Sequence, residues 1–111
     1  MFRDIAERDW KIFRELHRVA LYRLCDQILV EAKGKIEQPA KSSHEKYSEL
    51  FKLIQNRDKD IARAFNDFRR STALTQIGLI HKMGLFTPEE INRFSPETLQ
   101  IVQMYAPVSP A

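Results

Sequence analysis

Three histidines, one cysteine and two adjacent arginines are the side chains here best suited to chemistry, and their spacing decides what each can do. Carboxylate-bridged metal sites in helical bundles need a Glu three residues before a His, and zinc hydrolases need a His-Glu-x-x-His run. The residues three before His17, His44 and His81 are Arg14, Lys41 and Gly78, and His44-Glu45 is followed by Lys46-Tyr47-Ser48. No metal ligand set is written locally, and no cofactor is expected. A nucleophile elbow of the Gly-x-Ser-x-Gly kind is missing, and three glycines standing far apart cannot form a phosphate-cradling loop. The chain is therefore expected to be non-enzymatic.

Cys25 stands alone, so no intrachain disulfide can form, and a lone thiol on an apolar helix face acts as a small hydrophobe. No apolar run approaches the roughly 18 residues of a membrane span. A cytoplasmic location and no membrane partner are the expectation.

Arg63, Arg69 and Arg70 are the candidates for phosphate contacts. Adjacent Arg69-Arg70 followed by Ser71-Thr72 supplies donors of the right type, and Arg63 falls on the same helical side as Arg70. The stretch from Gln76 to Ile91 has the outline of a helix-turn-helix. Its second helix, however, would open Pro88-Glu89-Glu90, where a recognition helix needs basic or amide residues. Nucleic-acid association is thus the second reading. A basic face paired with the acidic segment 85–111, which holds Glu89, Glu90 and Glu97, is the simpler one.

Asp9 and Asp58 occupy apolar slots of the helical pattern, where an unpaired carboxylate would cost several kcal/mol. Each is expected to be a cap at a helix break or to pair with Arg23, Arg57 or Arg69. A polar mark fixing register between subunits is the sharper alternative. His17 lies at the edge of an apolar face, one turn from Phe13 and Leu21, and reads as a hydrogen-bonded interface residue rather than a base.

The elements that must hold these residues are helices. With 43% apolar and 30% charged residues, a net charge of +3, and only 3 Gly among 111 residues, the chain has a globular balance without the turn density of a β-sandwich. Helix periodicity runs from Asp4 to Lys33, with an Asp4–Glu7 capping box at its start and Gly34 as its stop. A loop follows at 37–42, held out of helix by Pro39. Ser42 and Glu45 form a second capping box. From Tyr47 the apolar residues Phe51, Ile54, Ile61, Phe65 and Phe68 recur in steps of three and four. The segment 44–83 is either one helix of forty residues or two, broken near Asn56–Asp58 or Ser71–Thr72. Thr87-Pro88-Glu89-Glu90 and Ser95-Pro96 open short helices near 88–94 and 96–105. The expected fold is all-α: one domain over 1–106, a helical bundle built on a long antiparallel hairpin with two short C-terminal helices, and a flexible tail at 107–111.

Length then argues for assembly. Helices over 4–33 and 44–83 would measure roughly 45 and 60 Å, whereas a compact domain of this size is about 35 Å across. An elongated hairpin leaves apolar stripes uncovered, and self-association covers them. Trp10, Phe13, His17, Phe65 and Phe68 are the candidate interface. The expected function is a protein–protein interaction or regulatory protein, homodimeric, with a further protein partner possible.

Overall fold

The computed structural model describes residues 4–105, all of whose regular structure is helical. The expected tail at 107–111 lies outside these residues. Five helices follow in order: α1 (Glu7–Ile36), α2 (Ser43–Phe65), α3 (Arg70–Lys82), α4 (Pro88–Ile91) and α5 (Pro96–Gln103).

Both expected ends of α1 are corrected. The N-cap is Ala6, in extended conformation and without a side-chain cap, rather than Asp4. The Asp4–Glu7 box does not form because Glu7 is drawn to Arg70, whose guanidinium also donates to the Ile5 carbonyl at 3.0 Å. At the other end the helix runs through Gly34 to Ile36, and the Glu37 N–H bonds back to the Lys33 carbonyl. Gly34 adopts no positive φ, whereas Gly84, which closes α3, does at 73°. The Ser42–Glu45 and Thr87–Glu90 boxes both form.

The segment 44–83 is two helices, and the break falls at Asn66–Arg69, between the two positions favoured by periodicity. Residues 56–58 lie inside α2. Asn66 is extended and Asp67 takes a positive φ of 55°. The carbonyls freed there are taken up by side chains. Phe65 O receives His17 Nε2 at 3.1 Å, Asn66 O receives Gln76 Nε2, and Asp67 O receives Thr72 Oγ1 at 2.6 Å. Pattern alone misplaces the break because the apolar rhythm continues through Phe68, while these polar acceptors and donors are distant in sequence or lie in the next helix.

The core forms where α1 meets α2 and α3 and where α3 meets α5. Phe13, Leu16, Ala20 and Leu24 of α1 pack with Ala64 and Phe65 of α2 and with Ala73, Ile77 and Ile80 of α3; Leu85, Phe94 and Val102 close the cluster. Along the other part of the first two helices the pairing is 31 with 57 and 35 with 49, through Glu31–Arg57 and Lys35–Glu49. Both of these ion pairs join α1 to α2. Between Ala32 and Ala64 no residue is buried. The molecule is accordingly long, 51 × 32 × 24 Å, with a radius of gyration of 16.6 Å against about 13 Å for a compact chain of this length.

Candidate functional site

The five aromatic residues expected at a subunit interface come together inside one chain. His17 stacks on Phe68 with ring centroids 3.9 Å apart and 14° between planes, and meets Phe65 and Phe13 edge-on at 5.2 and 5.5 Å. Trp10 lies 5.1 Å from Phe68 and 6.3 Å from Phe13. Phe13 and Phe65 are buried, so neither can offer surface to a second copy; the periodicity that marked them as apolar does not say which neighbour covers them. Trp10 and His17 are half-buried and Phe68 is exposed. Because a carbonyl can only accept, His17 carries its proton on Nε2 toward Phe65 O. Burial pushes the imidazole pKa down, outweighing the upward pull of that carbonyl, so the ring is held neutral below its ordinary 6.5. A neutral, stacked and hydrogen-bonded ring ties α1 to the end of α2.

The three arginines are not brought together as a phosphate-binding face. Arg69 Nε lies 2.7 Å from Asp67, and Arg70 lies 2.9 Å from Glu7. Arg63 is exposed and makes no ion pair with either neighbour's carboxylate; it lines one hollow with Lys82 and another with Asp67 and Thr72. Nor do Arg69 and Arg70 of this basic stretch hold Glu90 of the acidic C-terminal segment. Glu90 is held instead by Arg23 of α1 in a bidentate pair at 2.6 and 2.9 Å, and Arg23 also donates to the Leu85 carbonyl. Arg93 of that segment pairs with Glu15.

Asp9 is the polar residue that sequence placed well and assigned incompletely. It is fully buried, as the apolar slot predicts, but its partners are on α5 rather than Arg23, Arg57 or Arg69. The Ser95 N–H donates to Oδ1 at 3.0 Å, and the Ser95 and Thr98 hydroxyls donate to Oδ2 at 2.5 and 2.6 Å. Burial alone would raise this carboxyl; the hydrogen bonds from Ser95 and Thr98, with Arg8 nearby, outweigh it and hold the pKa below 3.8. Asp58 is exposed, so it needs no partner in the core.

What the sequence did not single out is the face of the two-helix end. Tyr22, Leu29 and Ile36 of α1 and Tyr47, Phe51 and Ile54 of α2 are each 46–65% exposed. Cys25, Ile28 and Leu29 face Ile54, Asp58 and Ile61 across a shallow apolar hollow of about 200 Å³. The signal was present as the three-and-four rhythm at 47, 51, 54, 58 and 61, which looks the same whether the stripe is covered or bare.

Among the described residues no three His, Cys, Asp or Glu side chains are grouped to hold a metal ion, and no helix is long and apolar enough to cross a membrane. Comparison with protein-family models, with curated proteins and with solved structures gives no match.

Proposed function

We propose that the chain is a non-enzymatic interaction protein that works as a homodimer, two copies meeting through the bare apolar face of the two-helix end. The observation that carries this reading is that face: six large apolar side chains, each about half to two-thirds exposed, four of which (Ile36, Tyr47, Phe51 and Ile54) lie on the stretch between Ala32 and Ala64 that has no buried residue. They leave roughly 600 Å² of apolar surface in water, at the upper end for the largest patch on a monomer. Two such faces together approach the roughly 1,200 Å² at which standard interfaces begin.

The pairings 17 with 65, 31 with 57 and 35 with 49 support an antiparallel hairpin, whose dimer would be a four-helix bundle at this end. Helical spacing also favours an apolar occupant. At 100° per residue one flank of the α2 stripe carries His44, Ser48, Gln55 and Ala62, and the other Leu50, Lys46 and Arg57, the last paired with Glu31; Glu45, Lys52, Lys59 and Arg63 fall on the opposite side. Asp58 is the one formal charge within the α2 stripe, the residue a register mark would use, and on α1 Lys33 stands between Leu29 and Ile36.

Sedimentation equilibrium across micromolar concentrations tests the reading. The native chain is expected to sediment as a dimer, and Ile54→Asp or Phe51→Glu as a monomer with unchanged helical circular dichroism. A native monomer throughout that range, or dimers that survive both substitutions, would overturn it. Nucleic-acid association through Arg63, Arg69 and Arg70 has less support, since two of the three guanidiniums already face carboxylates.

A further inference from the structure

We infer that the cavity between α1, α2 and α3 is a binding site for a small amphipathic anion, a carboxylate or phosphate group on an apolar body. The cavity measures about 450 Å³, within the roughly 300–1,000 Å³ usual for small-molecule sites. Leu79 of α3 and Met83 just beyond α3, both half-buried, give it an apolar wall, beneath which lies the buried Leu24 of α1. Arg57, Arg63 and Lys82 bring three cations to the same lining, against Asp60 as its one carboxylate.

These charges are unevenly paired. Arg57 Nη1 donates to Asp60 at 2.9 Å, and its Nε lies 3.0 Å from Glu31, so Arg57 and Asp60 answer one another. Arg63 and Lys82, both exposed, make no hydrogen bond or ion pair among the described residues. The last carbonyls of α3 do not compete for Lys82. Those of Leu79, Ile80 and His81 already receive the N–H groups of Met83, Leu85 and Gly84.

Two unanswered cations therefore flank a concave apolar wall. An inorganic anion would meet the charges and leave the wall wet, and a neutral hydrocarbon would do the reverse. Only a molecule carrying both features uses the whole cavity.

Titration of the full chain with decanoate, decyl phosphate, decyltrimethylammonium and inorganic phosphate, below micelle formation, tests this by calorimetry and methyl NMR. At least one of the two anionic amphiphiles is expected to saturate, moving the Leu24, Leu79 and Met83 methyl signals; the tighter of the two identifies the headgroup. Binding of the cationic amphiphile and of inorganic phosphate should be at least tenfold weaker. Arg63→Gln combined with Lys82→Gln should weaken the anion at least tenfold, while Lys11→Gln, at an exposed lysine about 20 Å along α1 from Leu24, should not change it. The inference fails if neither anion saturates, if the cation or inorganic phosphate binds as tightly, or if the shifts centre on Leu29 and Ile54. Undiminished affinity in the double variant would overturn it as well.

Discussion

The carboxylate of Asp9, in the first turn of α1, accepts the backbone N–H of Ser95 at 3.0 Å across 86 positions of sequence. Ser95 is the N-cap of α5, so a buried charge on the first helix completes the start of the last one, where unpaired N–H groups favour an anion. Its hydroxyl partners on Ser95 and Thr98 can turn to donate, which is how a carboxylate with no cation in hydrogen-bonding reach remains tolerable at this depth.

Asp9→Ala should therefore destabilise the fold by about 3 kcal/mol, since it strands one N–H and two hydroxyls in the core. Asp9→Asn should cost less, about 1–2 kcal/mol, because the amide still accepts at one position. Urea unfolding followed by circular dichroism measures both; a loss under 0.5 kcal/mol for the alanine would contradict the clasp.

The same carboxyl gives a pH signature. Its folded pKa lies below the ordinary 3.8, so its contribution is present above that value and is lost as pH falls through the folded pKa. Glu90, held down by Arg23, behaves alike below its ordinary 4.5. Asp9→Asn is expected to flatten the stability profile below pH 4 while leaving the Glu90 part in place. Parallel profiles for the native chain and the variant would show that Asp9 does not titrate with folding.

His17 is the corresponding case for a base. Burial lowers its folded pKa, so the unfolded chain takes up a proton first, and stability declines as pH falls below the ordinary 6.5. His81, lowered by burial alone, adds to the slope. Replacing His17 by Phe keeps the stack on Phe68 but removes the bond to the Phe65 carbonyl. The variant should lose about 1 kcal/mol at pH 8 and show a shallower decline between pH 7 and 5. Nitrogen NMR of the native ring should find the proton on Nε2; a proton on Nδ1 would contradict the assigned hydrogen bond.

Two helical glycines should respond with opposite sign. A methyl group at Gly34 meets nothing within 4 Å, so Gly34→Ala should stabilise α1 by up to about 1 kcal/mol. At Gly78 the same methyl would overlap the Tyr105 ring down to Cγ, its root, so the ring cannot swing clear without moving α5. Gly78→Ala should cost about 1–3 kcal/mol. Thermal unfolding of the pair decides; stabilisation of both would mean that Tyr105 does not rest on α3.

Helical class and most element starts are legible in the sequence, because Ser42–Glu45, Thr87-Pro88-Glu90 and Ser95-Pro96 act within three or four residues. The Asp4–Glu7 box fails by the same reasoning, since Arg70 offers Glu7 a partner from 63 positions away. The break at Asn66–Arg69 and the partners of Asp9 are likewise set by residues brought together only by folding. For the candidate site, periodicity marks Phe13, Phe65, Phe51 and Ile54 alike as apolar. Which of them lie under α3 and which face water depends on where the shorter helices settle, and no local signal carries that.

The end of the molecule served by only two helices has a dynamic consequence. With Ala32 and Ala64 as its nearest buried side chains, the stretch between them can open while the core around Phe13 and Ile77 stays closed. Its amides should exchange with deuterium far sooner than those of α3, giving the chain a firm head and a pliant handle. Whatever grips that handle would slow the exchange there first, and the slowing would map the grip residue by residue.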